Sequence, residues 1–156
     1  MNLSQKETLL LKDQKDHEDM CIKKYNKYSC QAHDPQLKNL FSDLAKDEQR
    51  HLDTINQMQN GQAPNLAVAG QQQSGQSQQY QAAPMSQAKN TNPEDAEMCT
   101  DMLATEKYVS GTYDTSVFEF RDHAARQALS HIQKEEQEHG EKIYNYMACN
   151  GMYNVQ

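Results

Sequence analysis

The sequence predicts an all-α fold, a four-helix bundle of two helical hairpins joined by a long crossover, and three observations predict it. Apolar residues recur at three- and four-residue steps in four separate stretches, the period of a helix that buries one face. Start and stop signals for helices bracket each stretch. The chain also repeats itself, since Glu18, Tyr25, Glu48 and His51 return at an offset of 88 as Glu106, Tyr113, Glu136 and His139. Helices are expected near residues 5–32, 35–59, 93–120 and 123–149. A chain of 156 residues suits one domain, divided here into a hairpin at 4–60, a crossover at 61–92 and a second hairpin at 93–150.

The first helix begins at Ser4-Gln5-Lys6-Glu7, a capping box in which the Ser hydroxyl and the Glu side chain each satisfy a free backbone N–H. Leu11, Gln14, Glu18, Cys21 or Ile22, Tyr25, Tyr28 and Ala32 follow as an inward stripe. Asp34-Pro35 breaks the chain and restarts it, with Asp34 as N-cap and Pro35 at the first helical position, where its missing N–H costs nothing. The second stripe is Leu37, Leu40, Phe41, Leu44, Glu48, His51 or Leu52, Ile55 and Met58. Asn60-Gly61 closes that helix.

Residues 61–92 hold nine Gln, three Gly and two Pro among few charges, and show no periodicity. Their length suits a crossover that runs along a bundle and joins two parallel neighbours. The Gln are read either as a flexible polar connection or as adhesive and cross-linking sites. Asn92-Pro93-Glu94-Asp95 then starts the third helix, with two acids at the dipole's positive end. Its stripe is Cys99, Met102 or Leu103, Glu106, Val109, Tyr113, Val117 and Phe120. Asp122 ends this helix or caps the next, at the place of Asp34 in the first half. The fourth helix presents Ala125, Leu129, Ile132, Glu136, His139, Ile143 and Tyr146 or Met147, and ends by Asn150-Gly151.

Polar residues interrupt every stripe at mid-height. Glu48 and His51, three apart, share a helix face, as do Glu136 and His139. Chance alone would supply about 0.4 Glu-x-x-His matches at this composition, and the chain has two. Glu18 and Glu48 each stand about 22 Å from the Asp34 turn at the helical rise, so an antiparallel hairpin brings them level. Unpaired buried carboxylates cost several kcal/mol each, on the order of magnitude set by desolvation. A metal would remove that cost. The candidate ligands are therefore Glu18, Glu48, His51, Glu106, Glu136 and His139, residue types that can grip one metal or bridge two. No organic cofactor is expected. Tyr25 and Tyr113 are read as core aromatics whose hydroxyls reach a partner, or as redox relays. Asp47, Glu135 and Glu138 are expected to point outward, and His17, His33, His123 and His131 to lie at the surface.

A net charge of −7 argues against a nucleic-acid partner. Cys21, Cys30, Cys99 and Cys149 form no C-x-x-C pair and are read as reduced thiols. No basic-then-apolar leader and no run of eighteen apolar residues is seen, so neither export nor membrane insertion is expected.

The six candidate ligands, one Glu from each of two helices and a Glu-x-x-His from each of the others, resemble the di-metal carboxylate site of the ferritin-like superfamily, a resemblance that implies two divalent transition-metal ions, iron or manganese, with zinc accepted by the same donors. Residues 3–58, from Leu3-Ser4-Gln5-Lys6-Glu7 through Asp34-Pro35-Gln36-Leu37 to His51-Leu52-Asp53-Thr54-Ile55, resemble the CotF family of bacterial spore coat proteins. The second resemblance implies a structural coat component, assembled from the mother-cell cytoplasm, with other coat proteins as partners and with self-association. The first implies an alternative, an oxidase, peroxidase or catalase-like enzyme protecting against oxidants. Cys pairs of a rubredoxin type, a fifth helix and extra catalase domains are missing, which favours the coat role.

Overall fold

The computed structural model describes residues 2–64 and 89–153. Four helices account for most of them: α1, Gln5–Gln31; α2, Pro35–Gln59; α3, Pro93–Glu119; and α4, His123–Asn150. No strand occurs among the described residues. The caps are those the sequence announces. Ser4 and Glu7 form the reciprocal box, Asp34, Asn92 and Asp122 cap α2, α3 and α4, and Gly61 and Gly151 take the positive φ that ends a helix.

The helices pack as two antiparallel hairpins, α1 with α2 and α3 with α4, and the hairpins meet through α1 against α3 and α2 against α4. The core follows the predicted stripes, with Cys21 and Met102 taking the inward places for which Ile22 and Leu103 were alternatives, Tyr28 only half-buried at its edge, and Ala45, Met98 and Ala128 added. Phe41 is fully buried and tilts against Tyr25 and Tyr28, at ring separations of 5.7 and 6.1 Å. Truncating such an aromatic to Ala costs about 3–5 kcal/mol. Val117 is only half-buried, and Ser116 beside it turns inward to receive the Gln14 side chain at 2.9 Å.

Two buried acids lock each hairpin to the other's turn. Glu7, at the start of α1, accepts the backbone N–H of Arg121 at 2.9 Å and the Arg121 guanidinium at 2.9 Å. Asp95, at the start of α3, accepts the backbone N–H groups of His33 at 2.9 Å and Asp34 at 3.0 Å, and the Asn90 amide at 2.7 Å. Glu7 and Asp95 are themselves 88 apart, as are His33 and Arg121. These contacts make α1 antiparallel to α3. The end of α1, the starts of α2 and α3 and the end of α4 therefore gather at one end of the bundle, where Tyr146 donates to Asp34 at 2.6 Å and Asn90 donates to Asn150 at 2.8 Å. The end of α2 lies at the other end. Most of the expected Gln-rich crossover, residues 65–88, falls outside the described residues.

Candidate metal centre

Mid-height on each helix, the apolar stripe gives way to ionisable side chains that turn into one small volume. Glu18 comes from α1, Glu48 and His51 from α2, Glu106 from α3, and Glu136 and His139 from α4, and all are at most 2% exposed. They form two overlapping groups. Glu18, Glu48, His51 and Glu136 make one; Glu48, Glu106, Glu136 and His139 make the other; within each, the donor atoms lie within 4.8 Å of one another. Glu48 and Glu136 belong to both groups, so each stands where a carboxylate can bridge two ions. The imidazoles stack face to face, 5.5 Å apart and 16° from parallel.

Both rings present Nδ1 to the interior. His51 Nδ1 lies 3.0 Å from Glu136 Oε1, 3.4 Å from Glu48 Oε2 and 3.5 Å from Glu18 Oε2. His139 Nδ1 lies 2.9 Å from Glu48 Oε1, 3.8 Å from Glu106 Oε2 and 3.9 Å from Glu136 Oε2. Much of this interior is left without a hydrogen-bond partner: Glu18 Oε2, Glu48 Oε2, His51 Nδ1, Glu106 Oε2 and both carboxylate oxygens of Glu136. Buried polar atoms normally find partners. Orphans converging from four helices on one volume fit divalent ions, and the oxygen-and-imidazole set suits manganese, iron or zinc.

Further side chains orient the inner ones, each reaching across from the other hairpin. The Tyr25 hydroxyl donates to Glu106 Oε1, and the Tyr113 hydroxyl to Glu18 Oε1. Both tyrosines are fully buried core aromatics whose hydroxyls reach a partner. The outer nitrogens of the imidazoles are also matched: His51 Nε2 is 3.0 Å from Glu135 Oε2, and His139 Nε2 is 3.5 Å from Asp47 Oδ2. This corrects the expectation that Asp47 and Glu135 point outward. Their side chains are only 21% and 16% exposed. A carboxylate behind a ligating histidine fixes the ring's tautomer and strengthens it as a donor. A usable signal was present, because Asp47 and Glu135 are also 88 apart and each precedes an inward Glu. Glu138 is the flanking acid that pairs away from the site, with Lys134 at 3.4 Å. Of the four histidines read as surface residues, His33 and His123 are exposed, whereas His131 is half-buried with Nε2 3.5 Å from Glu135. His33 keeps half its surface and touches Asp95, and half-buried His17 stands edge-on to Tyr108.

Burial and crowding sort the protons. Burial raises Glu18 and Glu106 well above the ordinary carboxylate range, and the neighbouring Glu136 and Glu48 raise them further. Burial works against charge on His139, but hydrogen bonds to Asp47 and Glu48 outweigh it and bring the imidazole up to about 9. His51 is raised by the same contest, with Glu135, Glu136, Glu18 and Glu48 around it. Burial works against the Glu48 charge, but its hydrogen bond with His139 and the closeness of His51 outweigh it, and the carboxyl lies below its usual value. Metal-free, both imidazoles thus favour the protonated form and Glu18 and Glu106 the neutral one, with Glu48 held ionised between the rings. Cys21 is buried within reach of the same acids, and burial pushes its thiol up. The four cysteines are free, with Cys30 and Cys149 exposed.

Comparison with known proteins adds to this geometry. A family model described as the Coat F domain matches residues 94–156, which take in α3 and α4. That is the second hairpin, whereas the residues quoted above for the same resemblance lie in the first. No curated protein matches the chain. A two-domain protein of Anabaena variabilis, with DJ-1/ThiJ/PfpI-like and ferritin-like domains, is similar in structure at a TM-score of 0.70 and 14% identity, over 96% of this chain and 38% of that one. At that identity the likeness is one of fold. The chain spans about two fifths of that protein's length. Among the described residues, no helix is long and apolar enough to cross a membrane. The chain is a ferritin-like four-helix bundle, and it resembles the Coat F family, whose domain its residues 94–156 match.

Proposed function

We propose that this chain is a building block of the bacterial spore coat, a single ferritin-like domain over residues 1–156 that holds two divalent transition-metal ions, iron or manganese. Glu18 and His51 would hold one ion and Glu106 and His139 the other, with Glu48 and Glu136 available to both. The observation that carries the metal reading is the set of buried, unpartnered carboxylate and imidazole atoms that converge from all four helices. The coat role is supported by the Coat F match over α3 and α4 and by the resemblance of residues 3–58. Exposed Tyr108, Tyr144 and Tyr153 and the Gln-rich middle offer side chains for joining to other coat proteins or to further copies of the chain.

Within the bundle the residues' roles differ. Glu48 and Glu136 would serve both ions, Tyr25 and Tyr113 fix the end carboxylates Glu106 and Glu18 by donating to one oxygen of each, and Glu135 and Asp47 stand behind the imidazoles. Bound iron or manganese would supply a place for O₂ or peroxide and a store of electrons. The buried tyrosines beside both end carboxylates favour a second reading, an oxidase or peroxidase acting on oxidants.

Fractionation separates the two. Spores purified from the source organism and extracted with detergent and reductant should release the chain. Finding it only in the vegetative cytoplasm would overturn the coat reading and leave the oxidant-handling enzyme.

A further inference from the structure

The two metal positions have ligands of the same types, but charge is distributed unequally behind them. Glu135 stands 3.0 Å behind His51 Nε2, and its other ion-pair contact among the described residues is His131 at 3.5 Å. Asp47 stands 3.5 Å behind His139 Nε2, and it is itself held by Arg50 at 2.7 Å and Lys142 at 3.7 Å. The inequality is written in the repeat. An offset of 88 carries Arg50 to Glu138 and Lys142 back to Thr54, so one cation becomes an acid and the other a neutral residue at matched positions. Glu138 pairs with Lys134. Arg50 lies near enough to Glu135 to favour its charge, but its contact is with Asp47.

A divalent cation responds to the summed charge around it, and close cations count against it most in a poorly solvated interior. Arg50 and Lys142 offset the charge of Asp47 and add repulsion on the His139 side. His51 faces an acid that carries no such cation in contact. A carboxylate behind a histidine also strengthens the ring as a metal donor, and that support is undiluted at Glu135. We propose that the two positions fill in order, the first divalent ion entering at Glu18 and His51 between Glu48 and Glu136, and the second, more weakly held, at Glu106 and His139. This ordering rests on the metal-centre reading above.

Repulsion between two ions would separate the binding constants of any such centre, so the gap alone decides nothing. The deciding readout is which histidine the tight step needs. Metal-free full-length chain is titrated with Mn²⁺, with free ion followed by electron paramagnetic resonance and heat by calorimetry. His51→Gln should weaken the first ion by at least about tenfold, while His139→Gln should leave it within about threefold of the native value and remove the second step. The double variant Arg50→Gln, Lys142→Gln touches no ligand and lies on the outer face, and it should narrow the gap between the steps by at least about threefold. Equal effects of the two histidine variants, the reverse order, or an unchanged gap in the double variant would overturn the ordering while leaving the centre standing. A native chain that takes up no Mn²⁺ would overturn the centre and the ordering together.

Discussion

The Asp95 carboxylate, fully buried at the start of α3, receives the backbone N–H of His33 at 2.9 Å from the turn between α1 and α2. It takes the next N–H as well, that of Asp34 at 3.0 Å. One hairpin therefore caps the other. Burial disfavours the Asp95 charge, but these N–H groups and the Asn90 amide hold the carboxyl below its usual value. Removing it leaves two backbone donors without partners, a loss of about 2–3 kcal/mol for Asp95→Ala, against less than about 0.5 kcal/mol for exposed Glu94→Ala next to it. Urea denaturation of the two variants checks this, and equal losses would contradict it.

Glu135 matters for metal and little for folding. Glu135→Gln keeps the side chain's shape but removes the charge behind His51, and manganese affinity should fall by about 10–100-fold. The far-ultraviolet circular dichroism should not change. An affinity unchanged by the substitution would show that the 3.0 Å contact does not support a donor.

The end carboxylates separate function from stability. Burial and the neighbouring acids raise Glu18 and Glu106, so in the metal-free chain both favour the neutral form that an amide mimics. Glu18→Gln and Glu106→Gln should then each change metal-free stability by less than about 1 kcal/mol, yet remove most of the rise in melting temperature that metal produces. A structural acid at either position would instead show its loss in the metal-free protein.

The pH dependence follows from the same groups. Glu18, Glu106, His51 and His139 all bind protons more tightly folded than unfolded, His139 up to about 9. Stability from raised values is present at low pH and is lost as pH rises through them. Asp47, lowered to about 2 by the His139 hydrogen bond and by Arg50 and Lys142 against the cost of burial, contributes in the opposite direction only in strong acid. The metal-free melting temperature should decline from about pH 6 to about pH 9. The gain from added metal should grow over that range, because the ligands must shed protons to bind. Thermal scans with and without manganese test both trends, and a metal-free protein that becomes more stable across this window would contradict the assignment.

Most of the bundle was legible because its signals are local. Asp34-Pro35 and Asn92-Pro93 mark helix starts by chemistry confined to two residues, and the stripe from Leu37 to Met58 is readable from spacing alone. The convergence of Glu18, Glu48, Glu106 and Glu136 was legible through the offset of 88. Asp47 and Glu135 were misread for a physical reason: helical spacing sets the face a side chain occupies on its own helix, whereas their partners, His139 and His51, stand on the opposing one. Glu7 was recognised as half of a capping box, but its second task at Arg121 depends on how the hairpins meet.

The central claim is that this interior is built for metal. Elemental analysis of full-length protein, purified without added metal and again after loading with manganese or iron and removal of the excess, tests it most directly. The account predicts close to two ions per chain after loading, one for each of the two overlapping donor groups. Fewer than about 0.2 ions per chain in both samples, with the bundle still folded, would contradict it.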